Sequence, residues 1–88
     1  MADRPWVTPE EVKAYSEYTQ VQQRSPERLA VDIMRAEQYV IAYTNNTFAE
    51  YEKIPQPVKT AVLLLAEAYA YNSSAAVAST VSLPAAAE

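Results

Sequence analysis

The stretch Ile54–Tyr71, IPQPVKTAVLLLAEAYAY, decides how this chain folds. Between Val58 and Tyr71 only Lys59, Thr60 and Glu67 are neither aliphatic, alanine nor tyrosine, so the segment is too apolar for a surface helix with a single buried face. Val58, Val62, Leu65 and Tyr69 fall on one helical stripe, and Ala61, Leu64, Ala68 and Tyr71 form a second beside it. A helix that is apolar around most of its circumference needs cover around most of its circumference. In a chain of 88 residues few other helices can supply that cover. The pattern therefore predicts a central helix shared between its own small fold and a neighbouring subunit.

Composition narrows the alternatives. A chain this short makes one domain and buries only about 60–65% of the surface it exposes when unfolded, so its stability alone is modest. Cysteine and histidine are both absent, which removes disulfides, zinc sites, thiol nucleophiles and imidazole bases, and leaves oligomerisation as the available reinforcement. Seven basic and eleven acidic residues give a net charge of −4, which disfavours tight wrapping of a nucleic-acid backbone. The beginning of the chain, MADRPWVTPEE, has no apolar signal core, and Ala61–Ala66 is too short an apolar run to span a membrane. An intracellular context is expected. Glycine is absent while proline occurs six times, so there is no glycine-rich phosphate loop and helices with proline-marked starts are expected.

The rest of the chain reads as further helices. Thr8-Pro9-Glu10-Glu11 has the form of a capping box with proline at the first helical position, and Val7 and Val12 are spaced for a hydrophobic staple. A short helix from Pro9 to about Tyr18 follows, with Val12, Tyr15 and Trp6 turned inward. Thr19–Arg24 reads as a polar connector, after which Ser25-Pro26 repeats the cap-plus-proline start. Leu29, Ile33, Ala36, Val40 and Tyr43 then advance by four, three, four and three, an inward stripe about 28 Å long. Arg28, Asp32 and Arg35 are spaced for surface ion pairs. Asn45 and Asn46 suit a left-handed stop, Phe48 and Tyr51 tuck over the end of the bundle, and Gln56 or Pro57 opens the organising helix. From Ser73 the composition changes to SSAAVASTVSLPAAAE. Val77, Thr80 and Val81 argue for an extended or frayed end there. The expected organisation is a helical domain over residues 1–72 and a low-complexity tail over 73–88.

No catalytic centre emerges. Glu10/Glu11 and Glu50/Glu52 are carboxylate pairs, but each sits where acids favour a helix start or solvate a loop, so the chain is not expected to be an enzyme and no cofactor or metal is implied. Glu67 stands out as a carboxylate inside an apolar helix. It either marks that helix's solvated edge or pairs with a base across a subunit boundary, with Arg35 or Lys59 as the candidates. Tyr15, Tyr39, Tyr43, Tyr69 and Tyr71 recur at helical spacing, which suits core positions first and a half-buried interface second. A helix-turn-helix reading lacks a basic recognition helix, since the last helix holds one lysine.

Val7-Thr8-Pro9-Glu10-Glu11-Val12-Lys13-Ala14-Tyr15-Ser16, Asp32-Ile33 with Ala36-Glu37 and Tyr39-Val40, and Ile54-Pro55 with Val58-Lys59 and Leu63-Leu64-Leu65-Ala66-Glu67, in that order and spacing, resemble the YqbG-like phage and prophage head-tail connector proteins. The similarity covers about Val7 to Asn72. It implies a small α-helical protein forming a ring, commonly of twelve copies, beneath the portal vertex of a tailed phage. Its implied partners are further copies of itself, the portal protein, a tail or stopper protein, and genome DNA passing through the lumen without specific binding. The implied location is the head-tail interface of the virion, and the host cytoplasm during assembly. Members usually continue into a polar, glycine-containing segment where this chain has its Ser/Ala/Val stretch.

The expectation is therefore an all-α fold, a small bundle of two long antiparallel helices plus one or two short ones. It works as a structural head-tail connector, with no membrane partner. Its core and interface are drawn from Val12, Tyr15, Leu29, Ile33, Val40, Val62, Leu64, Leu65, Glu67, Tyr69 and Tyr71. The rival reading is a small helical regulatory module that binds one other protein, and a more distant one is a DNA-binding regulator.

Overall fold

The computed structural model describes residues 3–82, with side chains placed for 3–73. Four helices follow in order: α1 Pro9–Tyr15, α2 Thr19–Gln22, α3 Pro26–Thr44 and α4 Gln56–Ser82. Among the described residues there is no strand, and the protein is an all-α bundle. Helices α3 and α4 pack as its antiparallel core pair: Tyr43 and Thr44 at the end of α3 lie beside Pro57 and Val58 at the start of α4, whereas Arg35, two turns earlier, reaches Tyr69.

Local chemistry sets the helix starts. Thr8 Oγ1 accepts the Glu11 amide at 3.1 Å while the Glu11 carboxylate accepts the Thr8 amide at 2.8 Å, a complete capping box, and both staple residues Val7 and Val12 are buried. Ser25 caps α3 with a single bond, its hydroxyl accepting the Arg28 amide at 3.3 Å, ahead of Pro26. Helix α3 stops where Asn45 turns left-handed at φ 55 and ψ 41, a conformation asparagine tolerates better than most residues. The chain then reverses through Phe48, also at positive φ, whose amide donates to Asn46 Oδ1 at 2.8 Å. Pro55 O accepts the amides of Val58 and Lys59 as α4 begins.

The core gathers Trp6, Val7, Val12, Val21, Leu29, Ile33, Ala36 and Val40 with Val62, Ala66 and Ala70 of α4. The buried line on α4 is thus valine-alanine-alanine at four-residue spacing, and small side chains let α3 approach closely. Leu65, on the same stripe as buried Val62, is only half-buried, as are Val58, Tyr69 and Tyr71. Phe48 is buried and meets Trp6 edge-on at 5.6 Å, closing the end of the bundle, whereas Tyr51 beside it is exposed.

Several expectations fail for identifiable reasons. Helix α1 ends at Tyr15 because Ser16 takes an extended backbone, and the expected connector contains a one-turn helix, α2, whose Val21 is fully buried. That early break turns Tyr15 outward, 42% exposed. Tyr39 and Tyr43 also face out, because α3 already fills its inward face with Leu29, Ile33, Ala36, Glu37 and Val40. Of the extended or frayed end expected from Ser73, the extended form is corrected: the backbone is helix through Ser82, since alanine and serine continue a helix at little cost once it is running. Pro84 and the rest of the proposed tail lie outside the described residues.

Candidate functional site

Polar anchoring of the first 25 residues determines which surfaces remain open. Three ion pairs fasten this segment to the α3–α4 pair. Arg4 Nε donates to Glu37 Oε1 at 2.8 Å, and the Trp6 amide donates to the other oxygen of the same buried carboxylate at 2.6 Å. Arg24 Nε donates to Asp32 Oδ2 at 2.7 Å, with side chains only 11% and 2% exposed. Lys59 reaches Glu11 at 3.1 Å and joins α4 to α1. The expected surface pairing of Asp32 with Arg28 or Arg35 is therefore corrected: Asp32 is buried and belongs to Arg24, a partner from outside its own helix that helical spacing does not reveal. Helical spacing is equally silent about Glu37, whose partners also lie outside α3.

Glu11 serves both the cap and the tie to α4. Hydrogen bonding from the Thr8 amide, aided by the Lys59 ammonium, holds its carboxyl below its ordinary value. Glu11 is therefore an ionised structural group, and Glu10, Glu50 and Glu52 are exposed. Among the described residues no group of three or more acidic side chains is arranged to hold a metal ion, and no helix there is long and apolar enough to cross a membrane.

With α1 packed against both α3 and α4 and the ring of Tyr18, in the α1–α2 link, 4.6 Å from that of Tyr71 and tilted by 39°, one side of the helix pair is covered. Another seam is lined by α3 and α4 alone. It forms a groove of about 290 Å³ walled by Tyr39, Tyr43, Pro57, Val58, Ala61 and Leu65. Tyr39 and Tyr43 stack along it, 6.2 Å apart and 8° from parallel. The surface continues past Tyr39 to Met34 and Tyr69, where the Arg35 guanidinium lies 4.4 Å from the centre of the Tyr69 ring. Tyr43 is 81% exposed, Tyr39 53% and Met34 51%. Exposed apolar side chains gathered along one seam mark a contact surface more readily than the same residues scattered singly.

A second depression, beside Pro5, Pro9, Ala30, Ile33 and Met34, contains the Arg4–Glu37 pair. Its carboxylate is already engaged by Arg4 and the Trp6 amide, so it is the seat of the N-terminal segment. The indole Nε1–H of Trp6 is buried with no acceptor among the described residues. That donor is a local cost the aromatic packing offsets.

The sequence-named residues thus divide. Val12, Leu29, Ile33, Val40 and Val62 are core, Leu64 and Tyr15 are exposed, and Leu65, Glu67, Tyr69 and Tyr71 lie half-buried at the margin. Tyr39 and Tyr43, taken first for core, are the groove's walls.

These features define a small all-α protein, a helical hairpin covered on one side by its own N-terminal segment. By sequence, the chain belongs to the family described as "Protein of unknown function (DUF3199)", whose model matches residues 6–82. It is similar to the uncharacterized protein YkzL of Bacillus subtilis strain 168, 36% identical over 70 residues, which are 77% of this chain and 55% of YkzL. The chain therefore spans about half the length of that relative. No solved structure matches the chain.

Proposed function

We propose that this protein is a structural head-tail connector of a tailed phage or prophage, assembling into a ring between portal and tail. The observation that supports this reading most directly is the bare apolar seam of Tyr39, Tyr43, Val58 and Leu65, together with exposed Leu64 on another face of α4. A ring is built from heterologous contacts, in which each copy offers two different patches, and α4 carries apolar surface on two faces. The order and spacing of motifs shared with the YqbG-like connectors point the same way. The net charge of −4 suits a lumen along which DNA slides without being held. The rival, a module that binds one helix of another protein, draws on the same seam, because an amphipathic helix fits an apolar groove.

Light scattering across a concentration series, with and without the cognate portal protein, separates the two. The expected result is a closed oligomer of fixed mass that binds portal. A monomer at every concentration in both settings overturns the connector reading and leaves the rival.

A further inference from the structure

The charges along α4 indicate which two faces of the proposed ring meet. Lys59, one of the two bases considered as a partner for Glu67, is committed to Glu11 within its own subunit. Among the described residues Arg35 meets no carboxylate and Glu67 meets no base. They are poorly placed to pair within one chain. Arg35 lies on Tyr69 at the groove, and Glu67 precedes Tyr69 by two residues, which on a helix turns it to the opposite side.

Glu67 belongs instead with Leu64 and Ala68, one turn apart on the outer part of α4, where Leu64 and Ala68 are exposed and Glu67 is half-buried. This is an aliphatic ridge with an acid on its flank. The groove is its counterpart, with Tyr39 and Tyr43 on its α3 side, aliphatic residues on its α4 side and the Arg35 guanidinium beyond Tyr39. Pairing groove with groove puts two guanidinium groups in one contact, and pairing ridge with ridge puts two carboxylates there. Each like-charge juxtaposition is unfavourable. Ridge into groove matches both shape and charge, and it leaves every copy with one ridge and one groove for its neighbours.

Building on the ring reading, we infer that the Leu64–Glu67–Ala68 ridge of one copy seats in the Tyr39–Tyr43–Leu65 groove of the next, with Glu67 meeting Arg35 across the boundary. The partner at this surface is a second copy of the same chain, and the pair sets the direction of assembly.

Two charge reversals, Arg35→Glu and Glu67→Arg, test this by mixing. At a concentration where the wild type assembles, each variant alone is expected to be a helical monomer by scattering and circular dichroism. An equimolar mixture is expected to regain the wild-type mass, because alternating copies restore an opposite-charge pair at every contact. Wild-type assembly by either variant alone, or a mixture that stays monomeric, overturns the assignment of faces while the connector reading stands. A wild type that never assembles overturns both. Should a reversal lose its helix content, the neutral Glu67→Gln and Arg35→Gln variants serve instead: each is expected to weaken association about two- to fivefold, and an unchanged dissociation constant overturns the inference.

Discussion

Three carboxylates, Glu37, Asp32 and Glu11, attach the first quarter of the chain to the helix pair, and they differ in what their loss should cost. Asp32 and Arg24 are both nearly sealed from water, so removing one leaves the other as a buried, unpaired charge. Asp32→Ala is expected to destabilise the fold by about 3–5 kcal/mol, whereas replacing both residues by apolar ones of similar volume costs far less. A chemical denaturation series on the single and double variants checks the difference. Equal losses would mean that the pair does not act as a desolvated unit. Glu11 is partly solvated, and its contribution is expected to show in pH dependence. Its folded-state value lies below the ordinary 4.5, so the stabilisation is fully present above that value and fades as the pH falls through the lower, folded one. Thr8→Ala removes the hydroxyl that caps the Glu11 amide, at a cost of about 1 kcal/mol. NMR titration should show Glu11 moving toward its ordinary value if loosening that cap also weakens the reciprocal bond.

At the scale of the element, α4 is apolar all round and yet not uniformly buried. Its close approach to α3 uses Val62, Ala66 and Ala70, and its bulkier residues flank that line or face out. This explains why the largest side chains of the decisive stretch are not its core: alanines permit the contact, and leucines at those positions would hold the helices apart. Two substitutions two residues apart should therefore behave differently. Val62→Asp places a charge where nothing can solvate it and is expected to unfold the subunit, since the penalty of several kcal/mol is comparable with the whole stability of a small domain. Leu64→Asp is expected to keep full helix content and lose assembly. Circular dichroism with sedimentation on both variants checks this, and a common loss of helicity would contradict the division of faces. Neither expected stripe of α4 could be assigned to the core, because periodicity locates faces only relative to one another. When every face is apolar, the origin of the wheel is undetermined.

For the whole molecule, the layout is a hairpin of two long helices with its own N-terminal segment on one side and exposed aromatic surface on another. An 88-residue chain with so much apolar surface outside its core is expected to gain stability by association. Its melting temperature should accordingly rise with protein concentration over the range where light scattering detects the oligomer. Leu64→Asp should abolish that dependence while leaving the melting temperature of the dilute protein nearly unchanged. A wild-type transition independent of concentration would count against any self-association strong enough to stabilise the fold.

The amino-acid sequence by itself determined where α1, α3 and α4 begin and where α3 stops. Thr8, Ser25, Asn45 and the prolines at 9, 26, 55 and 57 act on backbone groups within a turn of themselves, and such local chemistry holds whatever surrounds it. It also determined that the helix beginning at Gln56 had too much apolar surface for one buried face. The tertiary structure alone decided which tyrosines left the core, that Asp32 and Glu37 went inside to meet Arg24 and Arg4, and that alanines took the closest contact. Those outcomes depend on what a distant part of the chain brings to each face, and helical spacing carries no information about the partner.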